Sequence, residues 1–458
     1  MRLRSGRLAP SVVRRSLIRD RIRAYRGERN RGRRSRKGER RRMPRWTDRF
    51  ERFAVDVILE RRDGKRAALL RGLLFLLSLL YSPLVRLRLW LYNRNFAHSH
   101  SLGCLVISVG NLTVGGTGKT PVVEKLAREL TRSGRRVAIL SRGYKSASRP
   151  LWARWRRASP GETPHPGPRV VSDGKRAFLG PLLAGDEPYM LASNLQGVVI
   201  LTGKDRVRSG LAAIRRWGVD TLLLDDGFQY LPLKERLDIV LVDREVPFGN
   251  RFLLPRGTLR EPMSHIRRAD ILLVTKCDGS PLAELKSELR RYNRHAPIVE
   301  CAHLPRYLAH VSTGEKRALI FLRGLRVVAL SGIARPESFE NGLRKLGAEI
   351  VYSRRFADHH RFSEPELLRV LERAKARSAS AIVTTEKDAV RLPFLRTPPP
   401  VPIYFLRVEI EFLHGAEALQ GRIREKMREE RPLSFSPSEP ISSLAEAPAA
   451  NGTHPILL

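Results

Sequence analysis

Thr113-Val-Gly-Gly-Thr-Gly-Lys-Thr120 follows directly on the apolar run Cys104-Leu-Val-Ile-Ser-Val109 and precedes a helical stretch that Pro121 opens. Strand, glycine-rich turn and helix start in that order are what a phosphate-binding loop requires. Gly115, Gly116 and Gly118 let backbone N–H groups turn inward around an anion, and the helix N-terminus adds the positive end of its dipole. Val114 and Thr117 complete the cradle, Lys119 reaches the β- and γ-phosphates, and Thr120 offers a hydroxyl to Mg²⁺. Thr113 stands where such loops usually carry their first glycine.

Outward from this loop the chain alternates short apolar runs with amphipathic stretches. RVAIL (136–140), GVVIL (197–201), VDTLLL (219–224), DIVLV (238–242) and ILLVT (271–275) read as buried parallel strands, with crossover helices over Pro121–Arg132 and Asp205–Trp217. The expectation is an α/β fold: a P-loop NTPase-like, doubly wound parallel sheet over residues 101–310. A second series, RVVALSG from 326, a helix from Pro336, EIVYS, a helix over Ser363–Arg377, SAIVTT and PIYFLRVEI, predicts a smaller α/β domain over 325–430, with a linker near 305–325. Residues 146–174 read as a long loop, and the Ser/Pro/Glu/Ala-rich stretch 431–458 as a disordered tail. Leu222-Leu-Leu-Asp225-Asp226 is an apolar strand ending in two carboxylates, the place from which an acid helps hold Mg²⁺ beside such a loop.

The 458 residues suit two domains plus extra segments; 42% are hydrophobic and 29% charged, too polar for a multi-span membrane protein and too apolar for a wholly disordered chain. The net charge is +40, and residues 1–45 hold 19 Lys or Arg against 3 acids, a surplus of 16. That arm lacks the apolar material to fold and reads as disordered, or as a consequence of a start placed ahead of Met43. Three cysteines without paired spacing argue against a disulfide framework or zinc site and for a reducing setting. Residues 46–100 hold an apolar stretch, Ala67 to Val85, interrupted by Arg71. Arg61, Arg62, Lys65 and Arg66 precede it and Arg86 and Arg88 follow, so it reads as a membrane-anchoring helix, with a buried core helix as the alternative.

Thr275-Lys-Cys-Asp278 resembles the element with which GTPases read guanine, but no D-x-x-G follows the strand that ends at Asp225. A larger set of motifs resembles the tetraacyldisaccharide 4'-kinases, which phosphorylate the lipid A precursor. They stand in order: SVGNLTVGGTGKTP (108–121), SRGY (141–144), AGDEP (184–188), DDGFQ (225–229), FGN (248–250), LLPRGTLREP (253–262), FADHH (356–360) and TTEKDAVRL (384–392). The resemblance covers most of residues 67–410. Tyr230, where the family more often has His, and PRGTLREP in place of PAGPLREP are departures that bear on fine contacts.

The resemblance implies transfer of the ATP γ-phosphoryl group to the 4'-hydroxyl of a tetraacylated glucosamine disaccharide 1-phosphate, at the cytoplasmic face of a Gram-negative inner membrane. It implies ATP and Mg²⁺ as cofactors, the lipid A precursor and the membrane surface as partners, and no nucleic acid. Lys119 and Thr120 would hold phosphates and Mg²⁺, with Asp225 or Asp226 completing the metal environment. Asp186 resembles the family's catalytic base, His359 its partner, and Arg260 and Glu261 resemble residues near the transferring phosphate and metal. Two other classes fit the residues alone: a P-loop GTPase or nucleic-acid-stimulated ATPase switch using the basic arm, and a nucleotide-gated scaffold.

Overall fold

The computed structural model describes residues 45–143, 167–234, 236–395 and 397–429. Nearly all of the Arg-rich arm, most of the 146–174 loop and the 431–458 tail lie outside the described residues. The strands are β1 (Leu105–Asn111), β2 (Val137–Ser141), β3 (Arg169–Asp173), β4 (Val199–Thr202), β5 (Thr221–Asp225), β6 (Arg236–Asp243), β7 (Ile271–Thr275), β8 (Ile298–His310), β9 (Lys316–Arg317), β10 (Arg326–Ser331), β11 (Glu349–Arg355), β12 (Ala381–Thr385) and β13 (Ile403–His414). The helices are α1 (Arg45–Ile58), α2 (Lys65–Asn93), α3 (Lys119–Arg132), α4 (Pro181–Ala184), α5 (Asp186–Asn194), α6 (Arg206–Trp217), α7 (Ala283–Tyr292), α8 (Pro336–Lys345), α9 (Glu364–Ala376), α10 (Glu386–Ala389) and α11 (Ala416–Arg428).

All seven residues of β1 are buried, as a central strand covered on both faces must be. Leu105, Ile107 and Val109 pack with α3, α5 and α11 on one face, while Val106 joins α6 on the other, so the sheet is doubly wound. β1 lies between β5 and β6, and β4-β2-β5-β1-β6-β7-β8 is parallel throughout, with β3 antiparallel on the outer edge. Local chemistry agrees with the boundaries: Asp205 caps α6 by accepting from Arg208 N, and Gly218 closes it in the left-handed conformation. Ser363 and Glu366 form a capping box at the start of α9.

The stretch 305–325, expected as a linker, holds the second half of β8, β9 and a 3₁₀ turn over Leu319–Leu322. A single sheet runs on without interruption into β11-β10-β12-β13, because β13 pairs along β8 from Tyr404↔His310 to His414↔Glu300. That pairing is antiparallel, and it decides the architecture. β7 ends its pairing at Val274↔Glu300, so β8 projects beyond the carboxyl edge of the first block. β10, β12 and β13 are attached to the projection and run back toward that edge. The carboxyl ends of the two parallel blocks therefore face each other.

A buried charge cluster ties the blocks behind this cleft. Arg407 of β13, 4% exposed, contacts Glu124 of α3 and donates to Glu386 of α10 at 2.7 Å. Asn194, at the end of α5, donates to the same two carboxylates at 3.3 and 2.8 Å. Burial raises the Glu386 pKa, opposed by Arg407.

α2 behaves differently from the other long helices among the described residues. Only Ala67, Ser78 and Leu89 of its 29 residues are buried, so the buried-core alternative does not hold. Leu69 and Leu80 are 78% and 66% exposed, amid further exposed leucines at 73, 76, 77 and 79.

Replacing Arg407 by Ala leaves Glu124 and Glu386 buried without their cation. We expect a loss of roughly 3–5 kcal/mol, read as a lowered urea midpoint at unchanged slope.

Candidate active site

The phosphate loop is fixed from both ends before any ligand arrives. At its start, Asn111 donates from Nδ2 to the Thr113 carbonyl at 2.8 Å and to its hydroxyl at 3.2 Å. Val114 N donates to Thr258 O at 2.7 Å. Further along, the Thr275 hydroxyl donates to Thr117 O at 3.0 Å, so the first residue of the GTPase-like TKCD element braces the loop. The other members of that element are engaged elsewhere: Lys276 with Asp243 at 2.5 Å, and Asp278 with Arg244 and Ser280. Gly118, at φ +82°, caps α3 in the left-handed region, and a β-carbon there would collide with the ring of His303. Gly115 and Gly116 have open space where a β-carbon would stand, as a cradle for an anion needs. The Thr117 hydroxyl is buried without a hydrogen-bond partner among the described residues.

Beside the loop, β5 delivers its two carboxylates to different surroundings. Asp226 sits at φ +55° and turns toward cations: Arg260 Nη1 donates to both oxygens at 2.9 and 2.8 Å, and Lys119 Nζ stands 3.4 Å away. Burial works against its charge, yet Lys119 and Arg260 hold its pKa below the usual carboxylate range. Asp225 is fully enclosed. Burial, with Glu187 and Asp226 adding repulsion, pushes it up to about 7. The Ser141 hydroxyl donates to its Oδ2 at 3.3 Å, and its Oδ1 is buried without a partner. Lys119 also donates to Asn111 Oδ1 at 3.0 Å.

On the same block, facing the second across the cleft, stands Asp186, the first residue of α5 and 5% exposed. Its two oxygens are unequal. Oδ2 accepts from Arg391 Nε at 2.8 Å and faces His359 Nδ1 at 3.5 Å, whereas Oδ1 has no hydrogen bond, with Arg361 3.6 Å away. Burial penalises its charge, but the His359 hydrogen bond and the Arg391 charge outweigh that and lower its pKa. His359 itself, at φ +61°, meets Lys387 Nζ at 3.1 Å through Nε2. Arg391 Nη2 stands 3.2 Å from its Nδ1, so a cation that can only donate faces each ring nitrogen. Arg391 is wholly buried and fixed by Asp388 Oδ1 at 3.0 Å and Gly332 O at 3.2 Å. Asp388 is in turn pinned by Gly332 N and the Thr385 hydroxyl.

The structure thus gathers Lys119, Asp225, Asp226 and Arg260 at the carboxyl edge of the first block. Asp186 meets His359 across the cleft. Glu187 links the two groups, lying 3.4 Å from Lys387 and raising the pKa of Asp225. Glu261 turns the other way, bound to His265 Nδ1 at 2.8 Å and Arg268 at 2.5 Å. Sequence reasoning assigned no role to Lys387, Asp388 and Arg391, although the TTEKDAVRL motif contains all three. Nor did it single out Asn111, Ser141 or Arg206, whose Nη1 donates to Asp226 O at 3.0 Å. His303 carried no signal at all.

Among the described residues no three His, Cys, Asp or Glu side chains gather to hold a metal by themselves. A P-loop phosphotransferase needs no such cage, since its Mg²⁺ is held between one or two side chains and the phosphates. A phosphate loop, an acid on the neighbouring strand and a separate carboxylate with one unpartnered oxygen are the equipment of a kinase of that class. The model of the tetraacyldisaccharide-1-P 4'-kinase family matches residues 70–428. Tetraacyldisaccharide 4'-kinases from Anaeromyxobacter dehalogenans (strain 2CP-C) and Geobacter sulfurreducens are 42% and 41% identical, over 79% and 72% of this chain and 92% and 86% of theirs. A crystal structure of LpxK from Aquifex aeolicus in complex with ATP is 29% identical with a TM-score of 0.60, covering 78% of this chain and 99% of that one. The chain belongs to the tetraacyldisaccharide-1-P 4'-kinase family.

His303 gives the loop a pH signature. Burial and the Lys276 charge hold its imidazole down at about 4, against 6.5 in the open. The unfolded chain therefore binds the proton first, and stability falls as pH drops from about 6.5 toward 4, by up to about 3 kcal/mol. In His303→Gln that part of the slope of unfolding free energy against pH flattens.

Proposed function

We propose that the protein transfers the γ-phosphoryl group of ATP to the 4'-hydroxyl of a tetraacylated glucosamine disaccharide 1-phosphate, at the cytoplasmic face of a Gram-negative inner membrane. The observation that carries this reading is the inequality of the Asp186 oxygens. A carboxylate with Oδ2 fixed by Arg391 and His359, kept ionised, and with Oδ1 buried but unpartnered is prepared to accept one proton from a hydroxyl.

The loop amides from Gly115 to Lys119 would wrap the phosphates, with Lys119 leaving Asp226 and Asn111 to meet them. Mg²⁺ fits this donor set: the unpartnered Oδ1 of Asp225 and the hydroxyl of Thr120 lie on adjoining elements, and oxygen donors suit a hard cation. When bound, it would neutralise charge on the phosphate oxygens. Asp225, rather than Asp226, is the better holder, because Asp226 is already committed to Arg260. Arg260 and Lys119 then face the transferring group together. As the phosphoryl group leaves in a loose transition state, Asp186 Oδ1 takes the acceptor's proton, while the His359 ring and the Arg391 guanidinium steady the carboxylate. Lys387 and Arg391 hold the His359 ring in place from its two nitrogens.

α2 supports membrane association. Its 29 residues span about 44 Å, against a hydrocarbon core of about 30 Å, with leucines facing out and basic residues on both flanks. A bilayer-bound enzyme reaches a lipid headgroup without drawing acyl chains into water, at about 0.8 kcal/mol per CH₂.

Asp186→Asn should lower turnover roughly 10²- to 10⁴-fold, with ATP affinity by calorimetry unchanged; a parallel fall in affinity would make Asp186 a nucleotide ligand instead. Leu76→Asp with Leu80→Asp, both at exposed positions, should abolish co-sedimentation with anionic vesicles while the melting temperature stays put. Retained sedimentation would remove α2 from the membrane reading.

A further inference from the structure

α2 does more than expose leucines: it touches the two segments that carry the phosphate-side residues. The Tyr81 hydroxyl donates to the main-chain carbonyl of Arg260 at 2.9 Å, and Arg88 Nη2 donates to the carbonyl of Gln229 at 3.0 Å. Those contacts join a continuous chain. Arg260 holds Asp226, which stands 3.4 Å from Lys119. Gln229 donates from Nε2 to Asn111 O at 3.0 Å, and Asn111 binds Lys119 and Thr113.

The strap over residues 248–260 is held between the N-terminal helices and the phosphate loop. On its outer side, Phe252 meets Phe75 of α2 edge-on at 6.0 Å, Asn250 donates to Ile58 O of α1 at 3.0 Å, and Arg256 pairs with Glu60 at 2.8 Å. On its inner side, Thr113 bridges to Leu259, Thr258 O accepts from Val114 N, and Arg260 N donates to Leu112 O at 2.7 Å. A β-carbon at Gly249 or Gly257 would run into Thr258 or into Asn250 and Phe252, so the strap has little room to slacken. A displacement of α2 is therefore passed to the loop rather than absorbed.

We infer that Tyr81 and Arg88 are positioning residues for phosphoryl transfer, through which the seating of α2 on a lipid bilayer sets the stance of Arg260, Asp226 and Lys119. This rests on the membrane reading above and adds that the bilayer acts on the chemical step as well as on substrate encounter. The residues touch no reacting atom; they act through the carbonyls they hold.

The test uses the full chain with lipid acceptor carried in anionic phospholipid vesicles or in detergent micelles. Tyr81→Phe removes one oxygen and keeps the ring. We expect kcat on vesicles to fall about fivefold, the scale of one hydrogen bond, with vesicle binding, melting temperature and KM for ATP unchanged. The wild-type advantage of vesicles over micelles in kcat should shrink with it. Arg88→Lys, which keeps the charge for anionic headgroups but shortens the reach to Gln229 O, should give a partial loss of the same kind. Unchanged kcat in Tyr81→Phe on vesicles that still bind the protein overturns the inference, as does a loss that appears only in KM. Failure of the wild type to bind vesicles would instead overturn the membrane reading itself.

Discussion

The antiparallel pairing of β13 along β8 is the constraint on which the site depends. Each parallel block, taken alone, places its chemistry outside its own carboxyl edge, as open α/β sheets do. Had the second block continued the first in parallel, His359, Lys387 and Arg391 would lie in line with the phosphate loop along one edge. Reversal on the projecting half of β8 turns them to face it, and the cleft between the edges becomes the place where a phosphate and a hydroxyl can meet. The Arg407 cluster stands behind this joint with three of its four members on α3, α5 and α10, the helices that begin with Lys119 and Asp186 and that carry Lys387.

Within the cleft, function is a matter of which oxygen is left over. Asp186, Asp225 and Asp226 are the same side chain in three electrostatic situations. Asp226 is saturated by cations, Asp225 is enclosed and repelled by other acids, and Asp186 is half-satisfied. Two of the buried atoms without a partner, Asp186 Oδ1 and Asp225 Oδ1, belong to the two carboxylates whose proposed work is to receive something. Burying an unpaired polar atom costs free energy, and the fold bears that cost where the proposed chemistry lies.

The 248–260 strap explains why a helix so poorly packed against the protein keeps polar contacts with its interior. Its exposed leucines suit a medium other than water, while Tyr81 and Arg88 suit the two carbonyls beneath them. An anchor that served only to tether would need the first and not the second.

The chain of residues determined a good deal without any coordinates. Apolar runs of strand length ending in Asp225 and before Thr113, glycines at 115, 116 and 118, and helix starts at Asp205 and Ser363 are local signals, and local physics is enough to read them. Ordered motifs from SVGNLTVGGTGKTP to TTEKDAVRL supplied the family. Hidden from that reading was everything set by contacts distant in sequence. The 305–325 stretch looked like a linker because β8 and β13 become a joint only when they pair. Asp186 looked no different from a turn residue, because what sets it apart is Arg391, more than two hundred residues away. His303 had no pattern of its own, since its contact with Gly118 arises from the sheet bringing β8 beside the loop. Periodicity records which face of an element is apolar; only the folded sheet decides which charged group each polar atom meets, because that depends on the register and direction of strands that are not neighbours in the chain.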